Sequence, residues 1–108
     1  MTRTIEEKPS VRLANEIADR AVRGLFERFI DACSGFSESI EVEANSVEAR
    51  FFYSGQFLCR VAPYRDLFHV QIGESPSWET RVRSEAGFLD AVDKALQLFL
   101  EAYAESAR

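Results

Sequence analysis

The spacing of apolar residues changes period twice along this chain, and that change restricts the fold more than any other feature. From Ser10 to about Cys33 the apolar residues fall at Leu13, Ile17, Ala21, Val22, Leu25, Phe26, Phe29, Ile30 and Cys33, the three-and-four spacing of one helix face. After Gly35 the period is two, over five runs at about 38–44, 47–54, 57–63, 67–72 and 78–83. They are separated by "NS", "SGQ", "YRD" and "GESPS", whose Asn, Ser, Gly, Pro and Asp favour turns. From Ser84 the helical period returns, at Phe88, Leu89, Val92, Leu96, Phe99, Leu100 and Tyr103, with Ser84 as the expected N-cap and Glu85 in the first turn.

Connections this short join strands that are neighbours in space, so the sheet reads as an antiparallel meander. A helix, a five-strand meander and a helix make a two-layer α+β sandwich when both helices lie on one sheet face, because that arrangement buries both apolar stripes. The other sheet face is then left to solvent or a partner. Pro9 and Ser10 signal entry to the first helix, and "SG" at 34–35 signals its end. Gly24 inside that helix lowers its propensity by roughly 1 kcal/mol relative to Ala, which a close packing contact would justify.

With 108 residues, 46% of them apolar, the chain has room for one core and no second domain. Residues 10–108 read as that domain and residues 1–9 as a frayed segment. Cys33 and Cys59 are far apart in sequence, with no CxxC spacing, and "MTRTIEEKPS" has no apolar signal segment. Neither export nor a disulfide framework is expected, and a cytoplasmic location is. No apolar run approaches the roughly 20 residues that cross a bilayer, so no membrane association is expected.

The net charge of −5 is unevenly placed. Residues 1–37 balance, residues 38–83 carry seven acids and five arginines, and residues 84–108 carry five acids against Lys94 and Arg108. Duplex DNA is therefore not an expected partner. Four of the five middle arginines interleave with apolar residues in the strands, and alternation sorts them onto one face, the fifth, Arg65, falling in the "YRD" turn. Toward the helices go Ile40, Val42, Ala44, Val47, Ala49, Phe51, Tyr53, Phe57, Cys59, Val61, Phe68, Val70, Ile72, Trp78 and Val82. The open face takes Glu41, Glu43 and Glu48 at one edge, then Arg50, Phe52, Leu58, Arg60, Leu67, His69, Arg81 and Arg83, with Glu79 beside them. Apolar side chains ringed by arginines are typical of interfaces. The same pattern also arises when arginines pair with Glu43, Glu48 and Glu79 and lay their stems over Phe52 and Leu58.

Chemistry-bearing motifs are sparse. One histidine and two unpaired cysteines do not make a zinc site, "GESPSW" is not a phosphate loop, and no cofactor is expected. Both cysteines fall on apolar faces, where free cysteine behaves as a small hydrophobe. Glu41 and Glu43 share a face, which suits edge protection more than a hard cation. Glu43 with His69 is the one acid–base pair worth testing. On the first helix Glu16–Arg20 and Asp19–Arg23 are spaced as stabilising pairs and Glu27–Asp31 as a repulsive one. "RFFYSGQF" has a passing likeness to an RNA-recognition strand, which leaves single-stranded nucleic acid as a second reading of the open face.

The run "IEVEANSVEARFFYSGQFLCRVAPYRDLFHVQIG", with "WETRVRS" and "FLDAVDKALQLFLEAYAES", resembles a small bacterial family of uncharacterised domains found in predicted transport and restriction-associated proteins. The matching positions are Phe57, Val61, Pro63, Leu67 or Phe68, Val70, Ile72, Leu89, Asp90, Ala95, Leu98, Ala102 and Tyr103, over roughly residues 25 to 105. These are packing positions, so the resemblance implies a bacterial origin and the α–β–α order but no catalytic residues. Where the family has a lysine-rich strand this chain has "EARFFYSG". The α–β–α order is also similar to that of frataxin-like iron chaperones, which implies iron handling by the acidic first strand as a third reading. Their first helix carries a continuous acidic ridge, whereas here the acids alternate with Arg12, Arg20, Arg23 and Arg28. The expectation taken forward is a non-enzymatic module that binds a protein partner or a second copy of itself through the open sheet face.

Overall fold

The computed structural model describes residues 9–74 and 77–107, so the frayed segment expected before Pro9 lies outside the described residues. The order is α1 (Pro9–Ala14), α2 (Arg20–Ser34), β1 (Ile40–Ala44), β2 (Ala49–Tyr53), β3 (Gln56–Tyr64), β4 (Leu67–Ile72), β5 (Trp78–Val82) and α3 (Glu85–Ser106). The strands form one antiparallel sheet in sequence order. All three helices contribute to one core on one sheet face, and the molecule measures 43 × 42 × 20 Å, the thickness of two layers. Edge-on ring contacts tie the layers together: Phe26 meets Phe68 at 5.3 Å and Tyr53 meets Phe99 at 5.1 Å.

The first helix is two helices. Asp19 Oδ1 accepts from the Ala21 and Val22 N–H groups at 2.9 and 3.1 Å, which makes Asp19 the N-cap of α2. The Nε and Nη2 groups of Arg23 donate to the Ile17 carbonyl at 3.0 and 2.9 Å, satisfying an acceptor that the break leaves free. Glu16–Arg20 and Asp19–Arg23 are therefore not pairs along one helix. Leu13 and Ile17 stay buried across the break, which is why the spacing looked continuous. A Cβ at Gly24 would meet nothing within 4 Å, so no close contact requires that glycine.

The β2–β3 hairpin turns at Ser54 (φ 52°) and Gly55 (φ 79°), the pair of left-handed conformations that a two-residue hairpin favours. Four residues further on, simple alternation fails. Phe51 opposes Cys59 but Phe52 opposes Phe57, so Leu58 is an extra residue in β3, a bulge. Leu58 is 1% exposed within the core, and Phe57 moves to the open face beside Phe52. Val42 and Val47, expected against the helices, are exposed on the edge strand and in the turn beyond it.

The outward side of α3 also departs from expectation. Its buried residues are Phe88, Ala91, Ala95, Phe99 and Ala102. Leu89, Leu96, Leu100 and Tyr103 are instead 56, 36, 52 and 53% exposed. Among the described residues no helix is long and apolar enough to cross a membrane.

Candidate interaction face

The open sheet face is built from rows that cross the strands. One row reads Glu43, Arg50, Arg60, Gln71, Glu79 from β1 to β5, and the next reads Ala62, His69, Arg81 from β3 to β5. Tyr64 opposes Leu67 at the end of the face, and Arg83 lies one position beyond Val82.

Of the eight residues expected to make the binding face, the structure keeps Arg50, Phe52, Arg60, His69, Arg81 and Arg83 at positions that belong to it. Leu58 is removed to the core by the bulge. Leu67 stands on this face but is only 8% exposed, so it offers little apolar surface. Phe57 takes the place intended for Leu58, with its ring 5.8 Å from that of Phe52 at 71°. Tyr64, 60% exposed, was not expected there, and the Arg65 guanidinium lies 5.6 Å from its ring centroid. Arg65 has φ 55°, a left-handed conformation that a residue other than glycine adopts only against a steric penalty. Its turn type was not readable from "YRD".

Charge divides this face into three parts. Glu48, whose side chain is 12% exposed, accepts from Arg50 Nε at 2.5 Å and lies 3.6 Å from Arg60 Nη1. That hydrogen bond, and then the charge of Glu48, push the Arg50 guanidinium further up, with a smaller contribution from Glu43. The centre of the face is thus internally paired around Glu48. At the β1 edge Glu41 and Glu43 are exposed. At the β5 edge Arg81 and Arg83 are exposed and make no ion pair among the described residues; Glu79 on the same strand has Oε1 3.2 Å from His69 Nε2. The face therefore carries unbalanced charge of opposite sign at its two edges.

Glu43 and His69 sit three strands apart, roughly 14 Å at the usual inter-strand spacing, so they are not an acid–base pair. Among the described residues no group of three or more His, Cys, Asp or Glu is placed to hold a metal ion. An open depression of about 300 Å³ lies between α1 and the β1–β2 turn, lined by Arg12, Leu13, Glu16, Ala44, Asn45 and Ser46. Cys33 and Cys59, distant in sequence, meet in the core as buried free thiols, and the hydrogen bond between them followed by burial pushes Cys33 well above its ordinary value. Their meeting depends on the packing of α2 across β3, which no spacing rule encodes. Comparison of the chain with protein-family models, with curated proteins and with solved structures finds no match.

Proposed function

We propose that the protein is a non-enzymatic interaction module that pairs with a second copy of itself through the open sheet face. The observation that carries this reading is the separation of charge, with Glu41 and Glu43 at one edge and unpaired Arg81 and Arg83 at the other. An isologous contact applies the same patch twice. A two-fold axis lying between two facing sheets and crossing near β3 sets the acidic edge of each copy on the arginine edge of the other. The half-buried Phe52–Phe57 pair then falls nearer the centre, where apolar contact excludes water. Such a face is attractive to its own copy although the whole chain is negative, because screening limits each charge to a range of about 8 Å at physiological salt.

Light scattering after size exclusion, at two protein concentrations, tests this directly. A concentration-dependent dimer that Arg81→Glu with Arg83→Glu turns into a monomer is the expected result; a monomer at all concentrations overturns it. A second reading is favoured by the exposed Tyr64 ring with Arg65 over it: an exposed aromatic with an arginine at its ring, on a face that also carries Arg81 and Arg83, is the composition that takes single-stranded nucleic acid. Oligonucleotide binding that weakens steeply with salt and requires Tyr64 supports that reading instead.

A further inference from the structure

The outward side of α3 has no role in the sheet contact. At 100° per residue the apolar positions of this helix, from Leu98 through Phe88 to Leu100, span an arc of about 200°, twice the width that packing on one core requires. The core uses one half of that arc. The other half is the stripe Leu89, Leu96, Leu100 and Tyr103, confined to about 60° of arc and about 21 Å long, four turns of helix. Leucines in an exposed row of this length are the anchors of a helix-in-groove contact.

Charge selects the occupant. Asp93, Asp90 and Glu101 continue round the helix from the stripe toward solvent, and all three are exposed. The helix's one base, Lys94, follows Glu101 by about 20° round the helix, but its ammonium lies 6.0 Å from the Trp78 ring centroid and makes no ion pair among the described residues. Glu85 at the start of the helix is held by Arg28, at 2.9 and 3.1 Å. The stripe is thus flanked on its solvent side by Asp93 and, further round, by Asp90 and Glu101, none of them in an ion pair among the described residues, and a second copy would bring the same acids toward it. We infer that the α3 stripe docks a basic amphipathic helix of a partner protein, with leucine-type anchors on the stripe and lysine or arginine against Asp90, Asp93 and Glu101. This is a different surface from the sheet face, and neither inference depends on the other.

The probe is a fluorescent Leu/Lys peptide of about 15 residues, long enough for four turns, with leucines at helical spacing. A scrambled peptide of the same composition and a Leu/Glu version serve as controls. The expected result is binding of the Leu/Lys peptide alone, with amide shift changes confined to α3. Leu96→Glu with Leu100→Glu should weaken it by about tenfold or more, as loss of one or two leucine contacts requires. Asp90→Lys with Asp93→Lys should weaken it further at low salt, and Arg81→Glu with Arg83→Glu should leave it unchanged. Because the substituted side chains are exposed, an unaltered circular-dichroism melt shows that the variants are folded. Equal binding of the scrambled or Leu/Glu peptide, or indifference to the leucine substitutions, overturns the inference. So does self-association abolished by Leu96→Glu, which would make a second copy the occupant, or binding to anionic vesicles lost with the same substitution, which would make it a lipid surface.

Discussion

Leu58 and Phe57 exchange roles at the β3 bulge, and substituting each by Ala measures that exchange. Leu58 is 1% exposed inside the core, so Leu58→Ala removes buried methyl groups and leaves a cavity, at about 2–5 kcal/mol. Phe57 is half-buried with one edge-on partner, Phe52. Losing that ring contact and part of its apolar burial costs about 1–2 kcal/mol. Against a stability of about 5–15 kcal/mol for such a domain, the first change takes away a large fraction and the second a small one. At about 4–8 °C per kcal/mol for a chain of roughly this size, a 3 kcal/mol loss lowers Tm by roughly 10–25 °C. Urea unfolding followed by the fluorescence of Trp78, with circular dichroism as the second probe, reads both. A Leu58→Ala variant within about 1 kcal/mol of the parent, with Phe57→Ala the more damaging, would mean that the strand alternates without a bulge and that the face assignment is wrong.

Three further outcomes are expected. Gly24→Ala should stabilise by about 0.5–1 kcal/mol, since the helix interior there has space for a Cβ, whereas Gly55→Ala should destabilise by about 1 kcal/mol because φ is 79°; equilibrium unfolding gives both signs. Asp19→Ala should cost about 0.5–2 kcal/mol through the lost cap and Asp19→Asn much less, and equal effects would remove the capping account. The contact with Cys59 and burial hold the proton on Cys33 in the folded state. Above the ordinary thiol value of roughly 8.5 the unfolded chain binds fewer protons than the folded one, so stability falls as pH rises, and Cys33→Ala should flatten that slope in urea midpoints measured across pH 7–10.

The element order was legible because both switches of period coincide with cap residues, Gly35 after α2 and Ser84 before α3, and the strand runs are separated by turn residues such as Ser54–Gly55 between β2 and β3. What was not legible has local physical causes. The α1–α2 break keeps Leu13 and Ile17 in phase with the α2 stripe, so apolar spacing conceals it, and only Asp19, a good N-cap, marks it. The bulge adds one residue within "QFLCR", where Phe57, Leu58 and Cys59 are all apolar and pattern cannot say which one is extra. On α3 the larger residues drew attention as the core face, yet the buried side is Ala91, Ala95 and Ala102 with Phe88 and Phe99, and Leu89, Leu96 and Leu100 face outward. Seven of the eight expected face residues stand where alternation places them; Leu58 moves into the core at the bulge, and Leu67 keeps its place but is buried. The apolar part of the face is thus aromatic, from Phe52, Phe57 and Tyr64, with its opposite charges at opposite edges.

Sedimentation equilibrium of two charge-reversed variants, alone and mixed, tests the face-to-face pairing most directly. Arg81→Glu with Arg83→Glu makes one variant, and Glu41→Arg with Glu43→Arg makes the other. Each alone opposes like charges at both edges of the two-fold contact and should be monomeric, while mixing unites a face acidic at both edges with one basic at both edges and should restore the mass of a dimer. Two variants that dimerise as well as the parent, or that remain monomeric when mixed, would contradict the account.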